Sequence, residues 1–299
     1  MGYIDERAGL RGRVAVIFGG GGGLGRACAL DLGGAGVRLA LNDRNPDLLA
    51  GTADELRQQG TEVMTSVFDA RDPDHQATFF DQVDATFGGV DILINVVGGT
   101  FPQPFADSNP RGWDALIRTN FTWLLHAVHL AIPRLRARGG GSIIQLTSIE
   151  AHRAAPGHAV YSAMKAAVEN LSRTLAVELA PDGIRVNTIA PDFVPTEGLA
   201  AMDRTVGGPG GAEAEWADVA DRIAIPMGRR GRYDDVGGCA LFLASDLSGF
   251  VTGTTLHPDG GTWASSGWFH WPEDGWSNRP PGRVVDHLVD RMSDPDSPT

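Results

Sequence analysis

Cysteine is scarce in this chain, and the two present, Cys28 and Cys239, fall in helically patterned stretches. That excludes a disulfide framework and points to a reducing compartment, read here as the cytoplasm. No apolar run reaches the length of a signal peptide or a membrane span, so no membrane role is expected. Basic residues are outnumbered, 25 Lys and Arg against 37 Asp and Glu, for a formal net charge of −12. Nucleic acid and anionic lipid are therefore poor partners, and a small-molecule substrate is the expected one. What the chain has in excess is glycine, 40 of 299 residues, close to double the usual share. These glycines show no collagen-like or low-complexity period and gather where strands should turn into helices.

A chain of this length can bury a full core within one domain. Arg13 to Phe18 (RVAVIF) is a short apolar run stopped by five glycines, which suits a buried parallel strand. Strands are also expected at 37–42, 62–68, 91–97, 142–147, 184–190 and 254–257, and helices at 24–34, 46–59, 73–87 and 110–138. A further helix carries Tyr161 and ends near Pro181 and Gly183. Strands alternating with helices specify an α/β fold, a single doubly wound (Rossmann) parallel sheet of about seven strands with helices on both faces. The domain is expected to span 1–262. Within it 192–232, rich in Gly, Pro and Ala, reads as a lid over a substrate, with an amphipathic piece around 213–223. Residues 263–299 read as a Trp-rich C-terminal extension, with a helical pattern from Val284 to Met292 and a disordered end.

The loop GGGGGLGR, Gly19 to Arg26, lies between the first strand and its helix. Glycines there let the backbone approach a pyrophosphate that the helix N-terminus attracts. Asp43 ends the second strand about 20 residues on, where a carboxylate accepts ribose hydroxyls and repels a 2′-phosphate. The pair points to NAD, with Arg44 as the counter-signal for NADP. Asp69, after the third strand, is placed either near the adenine or as a turn residue. Tyr161 and Lys165 stand four residues apart at the start of a helix, so they share a face. A lysine ammonium there is expected to favour the phenolate and make tyrosine a usable base. Ser148, closing a strand thirteen residues earlier, can hold a substrate oxygen; its plainer reading is a helix cap. His126 and His129 lack a third ligand in view, so no metal site is expected.

With these features in one βαβ frame, the chain from Gly12 to Thr262 resembles the short-chain dehydrogenase/reductase family. Its TGxxxGxG loop is matched from Gly19 through Gly23, Leu24 and Gly25, with Phe18 in place of the threonine. Its NNAG turn is matched by Asn95, Val96, Val97 and Gly98, its helical asparagine by Asn120, its serine by Ser148 and its YxxxK by Tyr161 and Lys165. Pro191 and Asp192 match its PG turn, and Thr196 its following threonine. The resemblance implies proton exchange by Tyr161, with Lys165 on the nicotinamide ribose, Ser148 on the reacting oxygen and Asn120 holding a relay water. It places Ala70, Asn95, Val96, Val97, Gly98, Pro191, Phe193, Val194 and Thr196 around NAD along with the residues above. It also implies a homo-oligomer, a tetramer formed through the helices at 110–138 and 160–180.

The substrate pocket is expected at Gly99, Glu150, His158 and Phe193, with Ile149, His152 and Val194 close by. This largely apolar wall suits an alicyclic, steroid-like or aromatic-derived secondary alcohol. The Val-Gly-Gly-Thr turn resembles that of dehydrogenases acting on cis-diols. An NADP-dependent carbonyl or 3-oxoacyl reductase, and a catalytically silent NAD-binding regulator, are the alternatives. The four tryptophans from Trp263 to Trp276 are expected either at a subunit interface or packed on their own domain.

Overall fold

The buried apolar runs become the strands β1 (Val14–Phe18), β2 (Arg38–Asp43), β3 (Val63–Val67), β4 (Ile92–Asn95), β5 (Gly141–Leu146), β6 (Ile184–Ile189) and β7 (Thr255–Leu256). In the computed structural model, residues 2–195 and 214–286 are described, 214–218 through the backbone alone. The seven strands pair in parallel in the order β3-β2-β1-β4-β5-β6-β7. The order reverses between β1 and β4, and a crevice opens beyond their carboxyl ends at that reversal.

Helices α2 (Gly23–Gly34), α3 (Pro46–Gln58) and α4 (Pro73–Phe87) follow the first three strands. Local chemistry sets their starts. Asn45 accepts from the Asp47 and Leu48 amides at 3.0 and 3.2 Å, Asp72 accepts from those of Asp74 and His75, and a proline follows each cap. One sheet face buries Phe18, Phe79, Phe80 and Trp123; the other buries Ile17, Leu32, Leu41 and Leu243. Phe18 therefore does more than remove a hydroxyl from the glycine loop. Its ring centroid lies 5.5 Å from Trp123 and 5.8 Å from Phe79, so the substitution extends the core under the loop.

The helix expected at 110–138 is interrupted. It runs as α5 (Pro110–Ile117), a π turn over Arg118–Thr122, and α6 (Trp123–Ala137). A π turn is a single-turn insertion inside an otherwise helical segment, with no turn residue to mark it in the sequence. Helix α7 (Ala159–Glu178) carries the Tyr161 pair. The lid stretch is described only at its ends, where α8 (Ala214–Ala224) covers the amphipathic piece. Helix α9 (Tyr233–Ala244) returns the chain to β7. Two elements were not expected: α1 (Tyr3–Ala8), and a β-hairpin of β8 (Phe269–Trp271) with β9 (Gly275–Ser277) that follows the single turn α10 (Thr262–Ser265). Trp263, Trp268 and Trp276 on this segment are exposed. The pattern from Val284 to Met292 lies largely outside the described residues, as does the end of the chain.

Candidate active site

The glycine loop leaves no room for a side chain at Gly21 or Gly25. A Cβ on Gly25 would stand 1.9 Å from the Gly19 carbonyl oxygen, and one on Gly21 would stand 2.9 Å from the Asp43 carboxylate. Gly19 itself has φ +84°, a conformation other residues avoid. Gly23 opens α2 with Leu24 half-buried behind it, so the helix N-terminus faces the crevice. Asp43 is held there by two amides: Oδ2 accepts from Gly21 at 3.1 Å and Oδ1 from Asn45 at 3.0 Å.

A cavity of about 320 Å³ opens at this point. Gly19, Asp43, Arg44, Asp69, Ala70, Val96, Val97, Gly98 and Gly99 line it together with Asn42, Arg71 and Thr119. Asp69 is not free to turn inward. Arg71 grips both its oxygens, at 3.0 and 2.5 Å, and holds its carboxyl below the usual carboxylate range. Arg71 was not anticipated from the sequence, since nothing in a lone arginine two residues past an aspartate marks it.

Asn120 sits in the π turn, almost fully buried. Its Oδ1 accepts from the Gly99 amide at 3.0 Å, and its Nδ2 donates to the carbonyls of Gly99 at 2.8 Å and Leu116 at 2.9 Å. The Asn95–Gly98 turn is thus clamped against the helix. Gly98 lies so close that a Cβ would stand 3.0 Å from both Asn120 Oδ1 and Lys165 Nζ. Asn95 is itself buried and donates to Gln145 at 2.8 Å.

Lys165 is buried, donates to the Leu146 carbonyl at 2.9 Å, and sits 5.6 Å from the centre of the Tyr161 ring. Thr147 Oγ1 donates to the Lys165 carbonyl at 3.0 Å and fixes α7 against the end of β5. Burial pushes the lysine down to about 8. Burial also pushes the Tyr161 phenol up, with a hydrogen bond to Ser148 pulling it partly back and the Glu150 carboxylate adding to the rise. The direction is opposite to the one expected from a lysine ammonium alone, because burial desolvates the phenolate. Ser148 also serves as a cap, accepting from the Glu150 amide at 3.2 Å.

Around this group stand the expected pocket residues. His158 meets the Tyr161 ring edge-on at 6.4 Å and shares a 3.0 Å hydrogen bond with Thr100 through Nδ1. Phe193 has φ 47°, Val194 is buried, and Pro191 accepts from the Ile149 amide. Thr196 lies outside the described residues. Asp192, standing where the family's turn has glycine, accepts from Arg153 at 2.9 Å and from Thr262 Oγ1 at 2.8 Å. Arg153 also donates to Glu150 at 2.9 Å. This bridge escaped the sequence reading because its members are scattered over 110 positions. His152 is turned away from the pocket, 2.7 Å from Glu169 and 2.9 Å from His257, with Trp263 stacked on His257 and tilted against His152. His126 and His129 are exposed, and no cluster able to hold a metal exists among the described residues.

The family model described as enoyl-(acyl carrier protein) reductase matches residues 20–262, most of the chain. The protein belongs to the short-chain dehydrogenase/reductase family. The 2,5-dichloro-2,5-cyclohexadiene-1,4-diol dehydrogenase of Sphingobium indicum is 33% identical over 252 residues, covering 84% of this chain and 96% of that one. Carveol dehydrogenase of Mycobacterium avium, solved with NAD, superposes with a TM-score of 0.78 at 29% identity, covering 85% and 98%. A gluconate 5-dehydrogenase of Burkholderia cenocepacia, solved with NADP and tartrate, does so at 0.78 and 34% identity, covering 88% and 99%. Membership makes the chain an oxidoreductase that uses a nicotinamide cofactor. No helix among the described residues is long and apolar enough to cross a membrane.

Proposed function

We propose that this short-chain dehydrogenase/reductase interconverts a secondary alcohol and a ketone with NAD, acting on an alicyclic, steroid-like or aromatic-derived substrate. The observation that carries the reading is the meeting of Tyr161, Ser148, Lys165 and Asn120 beside the cavity that Asp43 borders. When bound, NAD supplies the hydride acceptor. Asp43 would hold the adenosine ribose, the glycine loop the pyrophosphate, and Lys165 the nicotinamide ribose. Ser148 holds the substrate oxygen through its hydroxyl, and Tyr161 takes the alcohol proton at its phenolic oxygen as the carbonyl forms. Asn120 holds the Gly98–Gly99 turn close beside Lys165 and positions the lysine.

Two features favour NADP instead: Arg44 and Arg71 border the same cavity, and the Burkholderia relative was solved with NADP. Asp43 supports NAD, because its fixed carboxylate would face a 2′-phosphate at close range. Following nicotinamide absorbance with NAD and with NADP, over a panel of alicyclic, steroid and diol alcohols, tests the reading. Turnover preferring NAD supports it, and a preference for NADP refutes the assignment of Asp43.

The protein is proposed to act in the cytoplasm as a homo-oligomer, a tetramer through the α5–α6 and α7 faces. Leu125 and Val177, apolar and exposed on those faces, support that arrangement.

A further inference from the structure

The outer end of the large cavity holds an arginine whose charge is already matched. Arg71 follows β3, the strand beyond β2 at the edge of the sheet. The ends of these two strands are tied together, the Phe68 amide donating to the Asp43 carbonyl at 3.3 Å and Asn42 Nδ2 to the Phe68 carbonyl at 2.9 Å. Arg71 therefore borders the cavity beside Asp43, with Asp69, Ala70 and Thr119 on the same wall. Its Nε donates to the two Asp69 oxygens at 3.0 and 3.1 Å, its Nη2 to Oδ2 at 2.5 Å, and its Nη1 to Thr119 Oγ1 at 3.4 Å. The Arg71 amide also donates to Oδ1, at 2.9 Å. Both oxygens of Asp69 are thus engaged, which removes it as an acceptor for the cofactor. The guanidinium is pinned along its edge, and what it offers a neighbour is chiefly its flat face. Such a face stacks on an aromatic ring.

From this geometry we infer that Arg71 is the adenine-binding residue of the cofactor site, its guanidinium face stacked on the purine and its plane set by Asp69 and Thr119. The inference rests on the placement of the dinucleotide given above, with nicotinamide at Tyr161 and the adenosine ribose at Asp43. The base attached to that ribose then lies one strand farther out, where Arg71 stands. It does not rest on the choice between NAD and NADP, since both carry the same adenine. The Asp69 carboxylate at its edge makes Arg71 a poor reader of a 2′-phosphate.

The test measures dissociation constants for NADH, NADPH and AMP by titration calorimetry in the wild type, Arg71→Ala, Arg71→Lys and the double variant Asp69→Ala/Arg71→Ala. Thermal melting of each protein without ligand reads the fold separately. Arg71→Ala should weaken all three ligands by a similar factor, about 3- to 30-fold. Arg71→Lys, which keeps the charge and loses the plane, should bind nearly as weakly. The double variant should stay weak as well, although no released carboxylate faces the ligand. Wild-type affinity in Arg71→Lys, or a loss confined to NADPH, would overturn the inference and make Arg71 a reader of phosphate charge. Affinity regained in the double variant would also overturn it and assign the loss to the uncovered Asp69. A wild type that favours NADPH, with the loss in Arg71→Ala still equal on all three ligands, would refute the NAD assignment of Asp43 and support the stacking. Binding of none of the three by the wild type would remove the cofactor placement on which both rest.

Discussion

Asn120 and Gly99 exchange two hydrogen bonds, the amide of Gly99 donating at 3.0 Å and its carbonyl accepting at 2.8 Å. The asparagine reaches that position because a π turn, set between two α-helices, carries it. Asn120→Ala should destabilise the fold by about 1–3 kcal/mol, since buried backbone groups lose their partners. Turnover should fall more than the stability loss predicts, because the same clamp holds Gly98 close beside Lys165. Thermal melting beside kcat on one preparation checks both parts.

Acid–base behaviour follows from burial. Lys165 is pushed down to about 8 and the Tyr161 phenol is pushed up. Alcohol oxidation needs the phenolate, so kcat/KM for oxidation should rise with pH through the alkaline range. Lys165→Met removes the cation that stands 5.6 Å from the ring centre and should move that rise to higher pH, with turnover down by at least about a hundredfold. A profile that keeps its position in the variant would detach the lysine from the proton step.

Cofactor choice should turn on one carboxylate. Asp43→Ser leaves the loop its backbone and removes the charge that opposes a 2′-phosphate. The ratio of kcat/KM for NAD over NADP should fall by about 10- to 100-fold, with Arg44 exposed beside the new phosphate. Steady-state kinetics with both cofactors decides it.

Two glycine substitutions of equal size should have opposite signs. Gly25→Ala drives a methyl into the Gly19 carbonyl and should cost at least about 2 kcal/mol of stability along with cofactor affinity. Gly51→Ala, in α3 with open space at its Cβ, should stabilise by about 0.5–1 kcal/mol. Chemical denaturation of both variants is the comparison.

Glu169 is pushed up to about 7 by burial, its neighbour Arg173 pulling weakly the other way. A folded-state pKa raised above the unfolded value means the native state binds the extra proton between about 4.5 and 7. That contribution is complete at acid pH and is lost as pH rises through 7. His152 and His257 are both pushed down, which adds stability as pH rises toward their unfolded value near 6.5. Glu169→Gln removes the first trend, so its stability relative to wild type should improve from pH 5 to pH 8, with the titration of His152, 2.7 Å from the carboxylate, moving alongside. Melting temperatures across that range supply the check.

The sheet was legible because its strands are short apolar runs stopped by turn residues, and β1 is buried at every position. The site was legible where it depends on local spacing: Tyr161 and Lys165 are one helical turn apart, and the glycine loop adjoins its strand. What could not be read arises from long-range packing. The π turn has no turn residue to mark it, the Arg153–Asp192–Thr262 bridge joins separate segments, and the Tyr161 shift is set by burial. The β8–β9 hairpin was hidden by its aromatic clustering, which has no clear period of two.

Trp263 opens the C-terminal segment, yet its ring lies 5.1 Å from His152, on the same turn as Ser148 and Glu150. Thr262, one residue earlier, anchors Asp192. The boundary between family core and tail therefore passes through the wall of the turn that carries Ser148. Pruning the chain at Thr262 strips a prop from that wall along with the hairpin, whereas pruning beyond Ser266 keeps the prop and removes the hairpin with the residues after it. Of the two cuts, only the second isolates what the appended aromatics contribute.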